Sequence, residues 1–196
     1  MQFDAHRLIV LDEELRQQLP GFSSSVKLPT RSEPIPAPTL QAMLTAIEQN
    51  QKALAKLREA IPLKQSRYPI DLSESIDALL PHLGDLRENA RLLSIELHAH
   101  VETGDLDAAV ESVQASVAVT ESLREEPIIL SQLVRISIHV LIFADLERAL
   151  SRRQFSAEQL ARIQEALARM EDPTMMHRTL AGERAIMLEF FSGRRR

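Results

Sequence analysis

Residues 82–150 read HLGDLRENARLLSIELHAHVETGDLDAAVESVQASVAVTESLREEPIILSQLVRISIHVLIFADLERAL, and the reading of this stretch decides the fold. Leu86, Leu92, Leu93, Ile95, Leu97 and Val101 form a broad apolar face at helical spacing, so a helix is expected over 84–103. Gly104 then offers a left-handed stop and Asp105 a side-chain cap, which turns the chain directly into the next helix. Along 106–123 Leu106, Ala109, Val110, Val113, Val117 and Leu123 line one side, while the small Ala108, Ala115 and Ala118 permit close helix approach. The two segments make an αα-hairpin. Pro127 suits an early helix position, and 127–150 is apolar on nearly every side except at Ser131, Gln132, Arg135, Ser137, His139 and Asp145. Arg135 and Asp145 would each cost about 2.5–3.5 kcal/mol at the centre of a membrane span. The segment is therefore expected to be the buried central helix of the fold, with no insertion into a membrane.

Outward from this block, Ser156 and Gln159 make a capping box for a helix with Leu160, Ile163 and Leu167 as its buried stripe. A last helix starts behind Asp172 with Pro173 at its first position and carries Met176, Leu180, Met187, Leu188 and Phe191. Toward the N-terminus, Leu40, Leu44, Ile47, Leu54, Leu57 and Ile61 predict one helix from Pro38 to Pro62, and Ser73 caps a short helix through Leu80. Residues 4–19 place Leu8, Leu11 and Leu15 at helical spacing behind Asp4. From Pro20 to Pro38 the chain holds five Pro and four Ser, a composition that buries too little to fix one conformation. The expected organisation is all-α: a helical arm at 1–19, a Pro/Ser-rich linker at 20–37, and a helical domain at 38–196. About seven antiparallel helices would stack as a bundle or short αα-superhelix, since turns this short join antiparallel neighbours.

Composition narrows function more by exclusion than by assignment. Aromatic residues are 4% of the chain, with no Trp and one Tyr, so Leu, Ile, Ala and Val must build the core. Five Gly are too few for the tight turns of a multi-stranded protein. The absence of Cys excludes disulfides, zinc-thiolate sites and thiol nucleophiles. A net charge of −5 gives no field for collecting phosphates, so nucleic acid is not expected as a partner. Asp4, Asp12, Glu13 and Glu14 break up the first twenty residues, which lack the layout of a signal peptide. The domain is expected to be soluble and cytoplasmic by default.

The segment Ala90–Leu123 resembles a tetratricopeptide-type repeat: a first helix, the turn Gly104-Asp105-Leu106, then Ala109 where that family sets a small residue facing the first helix. The resemblance covers about one sixth of the chain and implies helix-pair stacking with grooves for a peptide or partner helix. More widely, LPHLGDLRENARLL, the Gly104-Asp105 turn, EPIILSQLVRISI and LAGERAIMLEFF are similar to uncharacterised helical proteins of planctomycete-type bacteria. That resemblance implies an exported or membrane-anchored setting and no particular activity.

Few residues invite a chemical role. His98 and His100 are two apart, so they diverge by roughly 200° around a helix. Glu96 with His100, and His98 with Glu102, are i,i+4 pairs of the kind that hydrogen-bond on helix surfaces. Arg135 sits in the most apolar segment and must find a counter-charge. Glu183, on the inward stripe of the last helix, is its expected partner in a buried ion pair. His139 is read as a core histidine with its hydrogen bond satisfied. Ser94, Ser131 and Ser137 lack the local context of a nucleophile, and no dinucleotide, phosphate-loop or calcium-loop motif occurs. Arg152, Arg153 and Arg194–Arg196 are read as helix-end charges favoured by the macrodipole. No catalytic, cofactor-binding or metal-binding residue is assigned. The leading expectation is a non-enzymatic interaction or scaffold domain that takes a protein partner or a second copy of itself. One alternative is a binding or catalytic bundle with a polar core site at Arg135, His139 and Glu183; another is a homo-oligomer that exchanges its N-terminal arm.

Overall fold

The computed structural model describes residues 9–70 and 80–193, and among them the chain forms eight helices and no strand. The helices are α1 (Glu13–Gln18), α2 (Ala37–Gln49), α3 (Gln51–Arg58), α4 (His82–Thr103), α5 (Leu106–Glu121), α6 (Ile129–Arg152), α7 (Ala157–Ala168) and α8 (Met175–Gly193). The all-α expectation holds. The Asp4 cap and nearly all of the short helix expected behind Ser73 lie outside the described residues.

The α4–α5 hairpin is the centre of the stack. Gly104 adopts φ 89°, and its amide bonds the His100 carbonyl at 2.8 Å, closing α4 with a left-handed residue that a Cβ would strain. Asp105 Oδ1 then accepts from the Ala108 amide at 3.2 Å and starts α5. Arg153 donates to the Val101 and Glu102 carbonyls, satisfying the free end of α4 from another helix. Around this hairpin α5 meets α3, α6 and α7, while α4 meets α2 and α6. The shared core runs through Leu93, Leu97, Val110, Val113, Val117 and Ile138.

The N-terminal third differs from expectation in three ways. The first described helix begins only at Glu13, where Asp12 Oδ1 accepts from the Leu15 amide at 2.7 Å. The segment 38–61 is two helices rather than one, because buried Asn50 breaks the run at φ −113° and ψ 18°. Its side chain accepts from the Val10 amide at 2.6 Å and donates to the Val10 carbonyl at 2.9 Å, clasping the incoming chain. The Pro/Ser-rich stretch is fastened rather than free. Ile35 is buried, Arg148 donates to the carbonyls of Pro29, Thr30 and Glu33, and Arg152 donates to that of Ser32. The composition of that stretch counts only its own side chains, whereas the attachment is made by its backbone. Leu15 and Leu19 join Met43, Ala46, Ile95 and Ala99 in a second apolar cluster.

Candidate functional site

Arg135 is 1% exposed, and its charge is met from α5 and from the α7–α8 turn. One terminal nitrogen lies 2.7 Å from Glu121 Oε1; the other lies 3.1 Å from Asp172 Oδ2. Arg124 donates to the second Glu121 oxygen at 2.8 Å and to the carbonyls of Arg169 and Glu171, while Arg178 donates to Asp172 at 2.5 Å. Burial pushes the Asp172 carboxyl up, but the Thr174 hydroxyl, Arg178 and Arg135 outweigh it and hold the group below its ordinary range. This network ties the ends of α5 and α7 to α6.

The expected Arg135–Glu183 pair is not made. Glu183 Oε1 accepts from the Ile129 amide at 2.7 Å, capping the free N-terminus of α6. Gly182 explains the placement: a Cβ there would lie 2.1 Å from the Pro127 carbonyl oxygen, so α8 crosses the start of α6 at backbone contact. His139 departs from expectation too, because its Nε2 is buried without a hydrogen bond, 4.0 Å from Glu121 Oε1. Burial and the nearby Arg135 push its pKa down to about 4 against the pull of Glu121, so it is neutral near pH 7.

The helix-surface reading of the other histidine pairs is also corrected. His98 is buried with Nε2 3.0 Å from Asp145 Oδ1, joining α4 to α6. Glu96 is equally buried; it bonds Arg58 and Ser112, with His100 Nε2 3.9 Å away. Glu102 takes Arg152 at 3.0 Å rather than His98. Among the described residues no three His, Asp or Glu converge as a metal site. Open clefts among the described residues include one of about 260 Å³ between the Leu63–Ser66 loop and the end of α5, one of about 350 Å³ between α1 and α2, and one of about 360 Å³ beside Tyr68 and Pro127. None of these three is lined by Arg135, His139 or Glu183.

The sequence reading placed two apolar faces wrongly: the stripe of α8, where Met176, Leu180, Met187, Leu188 and Phe191 are exposed rather than inward, and the outer face of α6. Only the inner face, including Val134, Ile138, Ile142 and Ala149, is buried; the helix lies on one side of α4 and α5 rather than between layers. On the opposite side Ile129, Leu133, Ile136, Val140, Phe143 and Leu150 are between 41% and 64% exposed. With Glu147 they follow steps of four and three residues in strict alternation, the 3.5-residue period of a coiled-coil seam. Glu147 is the one charge in that series and is paired with Arg31. An ordinary solvent face would be studded with Lys and Glu. By length and composition alone α6 could cross a membrane, yet its inner face carries Arg135, Asp145 and Arg148 in contact with carboxylates or histidine of α4 and α5. Sequence reasoning had the residues of the seam but took their apolar character for burial.

No known protein family, curated protein or solved structure matches the chain.

Proposed function

We propose that this chain is a non-enzymatic interaction domain of helical-repeat type, and that its working surface is the outward seam of α6. The observation that carries the reading is an uncovered apolar stripe at heptad spacing along a helix of 24 residues. A stripe of that period accepts another helix by knobs-into-holes packing. Isolated exposed apolar residues need no explanation, whereas a continuous row of them marks a surface made for contact. The α4–α5 hairpin supplies the rigid platform: with α6 laid on one side of it, the inner face is locked by ion pairs and the outer face is left open. The polar core at Arg135 favours a structural role, since its charges are spent on one another; the cleft beside the Leu63–Ser66 loop touches its outer members Glu121 and Arg124 but not Arg135 itself.

The absence of cysteine makes a direct test available. Single Val140→Cys, Phe143→Cys and Ile138→Cys variants are labelled with a maleimide in the monomeric fraction at high dilution. Val140→Cys and Phe143→Cys should react at the rate of a free thiol, and the buried Ile138→Cys control at least about a hundredfold more slowly. Protection of the first two in a monomer would mean that the chain covers its own seam, and the reading would fall.

A further inference from the structure

We infer that the occupant of the α6 seam is a second copy of this chain, its α6 packed antiparallel across a two-fold axis. This inference rests on the docking reading above. Three properties of the seam select a copy of itself.

The first is charge. Between residues 129 and 146 α6 itself sets no charged side chain beside the seam: Leu130, Ser137 and Ala144 run along one edge, and Gln132, His139 and Leu146 along the other, while Glu183 of α8 reaches only its first residue, at the Ile129 amide. A lipid surface would be met by an apolar face flanked with Lys and Arg. A dedicated foreign helix would be selected by charged edges that fix partner and register. Neither device is present, and a neutral seam is the kind that meets its own copy without repulsion, even in a chain of net charge −5.

The second is register. With two copies antiparallel, seam residues whose numbers sum to 276 stand opposite each other, so Leu133 faces Phe143 and Ile136 faces Val140 of the other copy, and Ile129 at each end faces Glu147, whose charge is held by Arg31. The same contacts repeat on both sides of the axis, as an isologous interface requires. Along one edge the sum is 274, so Ser137 meets its own counterpart beside the axis and Leu130 lies near Ala144; along the other it is 278, so His139 meets its own counterpart. Small residues on that edge let the two helices approach closely.

The third is area. The four apolar residues that face one another in this register, Leu133, Ile136, Val140 and Phe143, offer about 400 Å² per copy, and Ile129 and Leu150 at the ends bring the seam to about 600 Å² per copy, or about 1,200 Å² for the pair when the ends are covered as well. With its ends covered the seam reaches the lower bound of a specific, stable interface.

The test is sedimentation equilibrium of the full chain over a range up to about 100 μM, with Val140→Glu and Phe143→Glu compared with wild type. Wild type should form a dimer. Either substitution should raise the dissociation constant at least about a hundredfold, because each copy then buries a charge without a partner, while far-ultraviolet circular dichroism stays unchanged. Val140→Cys should cross-link between copies with a short bis-maleimide, and Gln164→Cys, exposed on α7, which packs on α5, should not. A wild-type monomer throughout the range overturns the inference. So does a dimer that both glutamate variants leave intact, or a monomer that floats with phosphatidylcholine or phosphatidylserine vesicles and loses that binding in Val140→Glu. The thiol rates separate the two readings: a monomer with a freely reacting Val140→Cys keeps the docking face and loses only the second copy, whereas a monomer with a protected thiol loses both.

Discussion

A guanidinium taken out of water needs opposite charge at hydrogen-bond distance, and Arg135 has two such partners while Glu183 has a different task. The two residues are therefore predicted to differ sharply in what they contribute. Arg135→Met keeps the length of the side chain but leaves Glu121 and Asp172 with a cation missing, so it should cost about 3–5 kcal/mol. Glu183→Ala removes one cap on the Ile129 amide and should cost only about 1 kcal/mol. Urea unfolding of the two variants settles the matter; equal losses would return Glu183 to the ion pair. The sequence made the need for a partner plain, since an arginine among ILSQLV and ISIHVLIF cannot remain alone. It did not reveal which carboxylates answer, because Glu121 and Asp172 approach from 14 and 37 residues away and neither position carries a local mark. Asp172 reads as an ordinary helix cap, and Glu121 as the last polar residue of an amphipathic helix. Caps and stops were legible for the opposite reason: the Gly104 turn, the Asp105 cap and the Ser156–Gln159 box act within four residues.

At the level of the element, α6 explains why a correct helix was given the wrong surroundings. Apolar residues on all sides mean two covered faces, and burial in a core satisfies that condition as well as contact with a partner does. Periodicity cannot separate the two; only the neighbours can. The seating of α8 follows a similar rule, because it depends on one glycine. In Gly182→Ala the new Cβ would meet the Pro127 backbone, which has no flexible end to move aside, so α8 must lift from α6. A loss of about 2–3 kcal/mol is expected, with hydrogen exchange accelerated over 175–193 before the rest of the molecule. Gly84→Ala is the matched control. No heavy atom lies within 4 Å of its new Cβ, and replacing glycine within α4 should stabilise by about 0.5 kcal/mol. Similar exchange profiles in the two variants would show that the crossing is looser than the backbone contact requires.

Across the whole molecule, buried charge ties together elements that the apolar core alone would leave separate, and this makes the fold sensitive to acid. Glu96 joins α3, α4 and α5; Glu102 receives Arg152, the Ile35 amide and Arg148, holding the N-terminal strap and α6 to α4; Asp172 closes α7 and α8 on α6. Burial raises each carboxyl, but hydrogen bonds and nearby cations more than reverse it, so all three titrate below their ordinary values. A depressed carboxyl contributes stability that is present above its unfolded pKa and is lost as pH falls through the folded one. His139 adds a second window with the same sign. Its pKa falls from 6.5 to about 4 on folding, so the unfolded chain binds the extra proton between those values and stability declines as pH drops through them. The melting temperature should thus be level above pH 7, slope down below about 6.5, and fall steeply below about 4.5 as the carboxyls protonate. His139→Gln should flatten the upper window, worth about 1–2 kcal/mol since the ring edge meets solvent, and leave the lower one in place. Glu102→Gln should flatten part of the lower window and release residues 29–33 to proteolysis, as Arg148 and Arg152 then lose the carboxylate that aims them at the strap carbonyls. An upper slope that survives His139→Gln would place the proton uptake on another histidine, and an unchanged strap in Glu102→Gln would mean that the carbonyl contacts alone hold it.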